Sequence, residues 1–223
     1  MTAIEPAGNG ARRGRPPGTS ARELELVALR LFTERGFDAT TVDDIAAGAG
    51  VSRRTFFRYY DSKASVLWSE FDHEVDTIRA LLNGTSDELS VMDGVREAVI
   101  AANHYSAEDV PELRARMNLI ATVPDLAASA AVHYDAWERA ISEFVARRTD
   151  HPADSLYPLA VGRATLATCR AAYEMWAGRA DADLTVYLHV GLRALSAGFN
   201  DETLSTEPEV RMRRKGTPRI ERV

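Results

Sequence analysis

"TTVDDIAAGAGVSRRTFFRYYDSK", residues 40–63, decides how this chain is read. Thr41 followed by Asp44 is the spacing of a capping box, and it predicts a short helix from Val42 to about Gly48. Val42, Ile45, Ala46 and Ala49 fall on one side of that helix. The small residues among them let a second helix approach closely across a turn at Gly50. Ser52 caps that second helix, expected from Arg53 to Tyr59. Phe56 and Tyr60 lie four apart and can anchor in a core, which leaves Arg53, Arg54, Thr55, Arg58 and Tyr59 facing outward. A helix-turn-helix whose second helix presents three arginines and no acid fits a DNA major groove. There, guanidinium forks pair with guanine O6 and N7 and with phosphate oxygens. Thr41 and Lys63, each at a helix N-terminus, are placed for backbone phosphates.

The distribution of charge supports a local site for a polyanion. The 223 residues carry a net charge of -6, yet residues 1–60 hold nine Arg against seven acidic residues, and residues 64–208 hold 11 basic against 23 acidic. Only the N-terminal end is electrostatically open to nucleic acid. One cysteine, Cys169, excludes an intramolecular disulfide framework. The N-terminus lacks the apolar segment of a signal peptide, and no run reaches the roughly 18 apolar residues of a membrane span, so a cytoplasmic protein without a membrane partner is expected.

Working outward, hydrophobic period and breakers predict an all-α chain of about nine helices. The first starts after Thr19 or Ser20 and runs to about Arg35, stopped by Gly36. Ser62 caps a helix over 63–82, ended by Asn83 and Gly84. Others follow near 88–106, 109–122, 125–149, 152–178 and 182–199. Four segments result: a flexible basic arm (1–18), a helix-turn-helix domain (19–68), a larger helical domain (69–200) and a disordered basic tail (201–223).

Residues 19–68 resemble the DNA-binding domain of the TetR family of transcriptional regulators. Thr41, Ile45-Ala46, Ala49-Gly50-Val51-Ser52, Thr55, Phe56-Phe57, Tyr59-Tyr60 and Ser62-Lys63 carry the resemblance in order. Arg54 stands where the family usually has Gly, and Phe57 where it usually has a phosphate-binding Tyr. The resemblance implies a homodimer on a palindromic operator, with recognition helices in successive major grooves. It also implies repression that a small molecule relieves. In the arm, "RRGRPPG", residues 12–18, resembles an AT-hook core, which would lay Arg15 in an A·T-rich minor groove.

The rest of the chain is larger than DNA binding requires, and the resemblance implies that 69–200 is a ligand-binding and dimerisation domain. Leu156, Ala160, Ala164, Ala167 and Ala171 are a stripe permitting close helix contact. With Leu184, Tyr187, Leu188, Gly191, Leu192 and Leu195 they would form a two-fold four-helix interface. Polar and aromatic groups interrupting apolar runs mark candidate ligand contacts: His104, Tyr105, Arg114, Met117, Asn118, His133, Tyr134, Trp137, Tyr173 and Trp176. The stretches 111–148 and 56–72 are similar to a TetR branch with an acyl-CoA-like ligand-binding domain, which includes the mycofactocin-system regulators. That similarity implies a hydrophobic ligand such as a long-chain acyl-CoA, with Arg114 or Arg116 near an anionic head group. No HExxH, Cys-His spacing or Gly-rich phosphate loop stands in the required context, so no catalytic residue, metal or cofactor is expected. An adaptor using the bundle to bind another protein is the competing class.

Overall fold

A computed structural model of the chain describes residues 21–179, 183–201 and 204. The arm with Arg15, the caps Thr19 and Ser20, and nearly all of the basic tail lie outside the described residues. Nine helices order the described chain, and no strand occurs among these residues. The chain divides into two compact units between Val66 and Leu67.

The first unit holds α1 (Ala21–Arg35), α2 (Val42–Gly48) and α3 (Arg53–Phe56). Leu24, Ala28, Leu31 and Phe32 recur at helical spacing on α1 and are buried with Ile45, Ala46 and Phe56. Gly36 ends α1 at φ 88, a left-handed conformation that glycine adopts without strain, and its N–H donates to the Phe32 carbonyl. The capping box forms as expected: the Asp44 N–H donates to the Thr41 hydroxyl, and the Thr41 N–H donates to the Asp44 carboxylate. α2 packs on α1 so closely that a Cβ at Gly48 would come within 2.8 Å of Val27 Cγ1.

Ser52 caps α3 by accepting from the Thr55 N–H at 3.1 Å. Here the structure differs from the expected helix to Tyr59, because regular α-helix ends at Phe56. The chain tightens into i to i+3 bonds at Arg58 and Tyr59. That tightening returns Tyr60 to α1, where its hydroxyl donates to the Ala21 carbonyl at 3.0 Å. Ser62 and Ser65 cap one another reciprocally, so α4 (Ser65–Asn83) starts two residues later than expected.

From Leu67 onward the second unit comprises the rest of α4 together with α5 (Val91–Ala102), α6 (Val110–Thr122), α7 (Pro124–Thr149), α8 (Leu156–Arg179) and α9 (Leu184–Ser196). Val75, Ile78, Val95, Val99, Ile141, Phe144, Val161, Leu188 and Leu192 are among the residues of its main core. α8 meets α7 at Gly162, where a Cβ would lie 2.5 Å from Ser142 Oγ and 2.7 Å from the Glu138 carbonyl oxygen. The Ser142 hydroxyl, within hydrogen-bond distance of the Glu138 and Pro158 carbonyls, is fixed there. Gly162→Ala is therefore expected to destabilise the fold by about 1–3 kcal/mol, since the Glu138 backbone and the hydrogen-bonded Ser142 hydroxyl block the added methyl. Chemical denaturation against the parent chain measures this, and an unchanged midpoint would contradict the close contact.

The expected dimer stripe is corrected on one helix. Leu184, Leu188 and Leu192 of α9 are buried in this chain's own core, so they are not available to a second copy. Val186 and Val190 on the other side of α9 are exposed, as are Leu156 and Met175 on α8.

Candidate functional sites

On the first unit, Arg53, Arg54 and Arg58 are exposed and Thr55 is half-buried, and Arg54, Thr55, Phe57 and Arg58 line one shallow depression. Phe56 beneath them is fully buried and fixes the turn to the core. The Arg53 and Arg58 guanidiniums rest on neighbours. Arg53 pairs with Asp43 at 3.0 Å and lies over the Phe57 ring, and Arg58 donates to the Tyr59 hydroxyl and lies over its ring. Such exposed contacts contribute at most about 1 kcal/mol and are readily exchanged for a stronger acceptor.

Thr41 and Lys63 are more committed. The Thr41 hydroxyl and N–H both serve Asp44, whose carboxyl these hydrogen bonds hold below its ordinary range. Lys63 donates to the Phe37 carbonyl at 2.6 Å and the Thr40 carbonyl at 3.0 Å, with its ammonium 4.3 Å from the Phe37 ring centre. It braces the turn between α1 and α2, a role its place in the sequence did not disclose.

The second unit contains a cavity of about 770 Å³ walled by α4, α6, α7, α8 and Tyr105. Such a volume lies in the range that holds small organic ligands. Of the ligand residues expected from sequence, Arg114, Met117, Asn118, Trp137 and Tyr173 line it, as do Tyr105 and Tyr134. His104, His133 and Trp176 are not part of the wall. His104 is exposed near Asp183. His133 stacks on Trp68 at 4.5 Å and reaches Asp72 at 2.7 Å. Trp176 is buried behind Arg114, whose guanidinium lies over its ring and donates to the Trp176 and Ala177 carbonyls.

The two candidate head-group cations differ. Arg116 is almost wholly buried, donates to the Leu67 carbonyl and is paired at 2.9 Å with both Glu70 and Glu112, so its charge is already balanced. Arg114 donates to the Trp176 and Ala177 carbonyls, lies over the Trp176 ring and has no carboxylate paired with it among the described residues at the cavity wall.

The sequence reading missed Glu74. It lies in α4, among Phe71, Val75 and Ile78, and lines the cavity. One oxygen, Oε1, accepts from Asn103 Nδ2 at 3.1 Å and from Trp137 Nε1 at 3.3 Å. Burial pushes its carboxyl up to about 7 against the opposing effect of those two hydrogen bonds. The Tyr173 hydroxyl donates to Asn103 Oδ1 and Tyr105 is hydrogen-bonded to Tyr173, extending the polar group along the wall. Burial raises the Tyr105, Tyr173 and Cys169 groups well above their ordinary values, and the Glu74 charge adds to this. The signal that could have found Glu74 is an acid placed three residues after Phe71 and four before Ile78, on the apolar side of α4.

A helix-turn-helix bearing an exposed arginine cluster, joined to a separate helical unit with a ligand-sized cavity, defines a small-molecule-responsive class of DNA-binding regulator. Residues 26–67 match the family "Bacterial regulatory proteins, tetR family", and residues 89–200 match "MftR C-terminal domain". The chain belongs to the TetR family of transcriptional regulators, with an MftR-like C-terminal domain. It is 33% identical over 190 residues to the "Putative mycofactocin biosynthesis transcriptional regulator MftR" of Mycobacterium tuberculosis, covering 85% of this chain and 96% of that protein. The transcriptional activator FasR of Mycolicibacterium smegmatis is 29% identical over 174 residues, 75% of this chain and 78% of its own length. Among solved structures, Thermus thermophilus FadR, a TetR-family repressor in complex with lauroyl-CoA, aligns with a TM-score of 0.53 at 23% identity, over 80% of this chain and 94% of that one. TetR regulators bind operator DNA, act as dimers and bind small-molecule ligands, and these homologues are regulators rather than enzymes. No helix among the described residues is long and apolar enough to cross a membrane.

Proposed function

We propose that this chain is a homodimeric repressor released from a palindromic operator when a long-chain acyl thioester enters the cavity of its second unit. The observation that carries the reading is that cavity, about 770 Å³ between α4, α6, α7 and α8, with Phe71, Leu113, Met117 and Ile120 among its apolar walls. Arg114 supplies a cation for an anionic head group, and the lauroyl-CoA complex of the fold neighbour FadR agrees in ligand class. The recognition surface is Arg53, Arg54, Thr55, Arg58 and Tyr59, with Thr41 toward the phosphate backbone. The exposed side of α8 and α9, with Leu156, Met175, Val186 and Val190, is the face offered to the second copy.

Coenzyme A thioesters of increasing chain length test the reading. Coupling between ligand and operator is typically about 1–3 kcal/mol, so saturating thioester is expected to weaken operator binding roughly 5- to 150-fold, reciprocally. Affinity should rise with chain length by up to about 0.8 kcal/mol per buried methylene, then level off when the cavity is full. Trp137 in the cavity wall provides the fluorescence readout. Binding that leaves the operator complex untouched would remove the switch, and absence of binding by every thioester would remove the ligand class.

A further inference from the structure

We propose that Glu74 is the group that reads the polar end of the ligand, as a neutral acid whose Oε2–H donates to a carbonyl oxygen of the guest. The inference rests on the acyl-ligand reading and narrows it, because it requires an acceptor on the guest, an ester, thioester or ketone, at the polar part of the cavity wall.

Asn103 Nδ2 and Trp137 Nε1 both donate to Oε1, which occupies its two lone pairs. Any proton the group carries therefore resides on Oε2, an atom with no hydrogen-bond partner among the described residues. Glu74 lines the cavity, so that remaining oxygen is the one left for a guest. A carboxyl bonded through one oxygen only, at the wall of a cavity, is an incomplete polar site that a ligand atom completes.

The surroundings favour the acid over the carboxylate. Glu70 on the same helix adds a like charge, while burial opposes ionisation and places the group at about 7. From α8, Tyr173 and Cys169 face it, and Tyr105 faces it from beyond α5. All three are raised by burial and stay neutral near pH 7. α7 contributes the neutral Trp137. On α6 the nearby cation is Arg116, held between Glu70 and Glu112. Arg114, Arg170 and Glu174 complete the ionisable groups of the wall, and Arg170 lies over the Tyr134 ring.

Lauroyl-CoA, methyl laurate and the saturated alcohol of equal length are the probes, titrated against the full-length dimer by Trp fluorescence from about pH 6 to about pH 9. For wild type, affinity for the two carbonyl compounds is expected to be level below about pH 7 and to fall by up to roughly tenfold per pH unit above it, because ionised Glu74 has no proton to donate. Glu74→Gln keeps an oxygen for Asn103 and Trp137 and turns an N–H₂ toward the guest, so it should bind the carbonyl compounds with affinity independent of pH. Methyl laurate binding with this pH dependence while lauroyl-CoA fails would uphold the Glu74 assignment and reject the thioester. Lauroyl-CoA binding equally at all pH values, with wild type and Glu74→Gln alike, would overturn the assignment and leave the thioester reading standing. Preference for the alcohol that grows with pH would also overturn it, since the group would then be an acceptor. No binding by any of the three overturns both.

Discussion

Replacing Arg53 and Arg58 together by alanine is expected to lower operator affinity by roughly 2–6 kcal/mol, at least about 30-fold, with helicity unchanged. The expectation follows from about 1–3 kcal/mol for each bidentate contact to a base edge. Both side chains lie on the exposed face of the α3 turn, and neither takes part in the core that Phe56 and Tyr60 anchor. Their present contacts, Asp43 for Arg53 and the Tyr59 hydroxyl for Arg58, are solvent-exposed and weak, so losing them leaves the fold intact. Fluorescence anisotropy with a labelled operator at fixed salt measures the loss, and circular dichroism confirms the helices. Operator binding at wild-type strength in the double variant would show that this face does not read DNA.

Glu74→Gln should stabilise the folded chain by about 3 kcal/mol at about pH 8 and by almost nothing at about pH 4. The folded carboxyl titrates at about 7, above the ordinary 4.5, so the native state binds a proton that the unfolded chain has released across that interval. The Glu74 contribution to wild-type stability is therefore fully present below about pH 4.5, falls as pH rises toward 7 and is level beyond it. Glutamine has no such dependence and retains the acceptor for Asn103 and Trp137. Urea denaturation of both chains at several pH values gives the difference directly. A gap that does not widen between about pH 5 and about pH 7 would contradict the burial argument.

Most helices were legible because their ends carry chemistry as well as period. Thr41 with Asp44, Ser52 with Thr55, and Gly36 at positive φ all act as their sequence positions imply. The end of α3 was not legible, because the pull that tightens it is the long-range hydrogen bond from Tyr60 to Ala21, 39 residues away. α9 misled for a different reason: it is apolar on two sides, with Leu184, Leu188 and Leu192 on one and Val186 and Val190 on the other. Periodicity locates both stripes and cannot say which one the core takes. Half-hidden polar groups were the hardest to read. An acid in sequence defaults to the surface, so Glu74 and its partner Asn103 went unread, while His133 was drawn toward the ligand when Trp68 and Asp72 hold it elsewhere.

The cavity wall also contains the chain's single cysteine. A nucleophilic thiol must ionise, and Cys169 is kept protonated by its apolar surroundings and by the nearby Glu74 charge. Peroxide and electrophilic guests meet sulfur in its least reactive form, and no second cysteine is present to resolve an oxidised intermediate within one chain. A guest in this cavity therefore meets a thiol held against ionisation, and covalent capture by Cys169 is not expected.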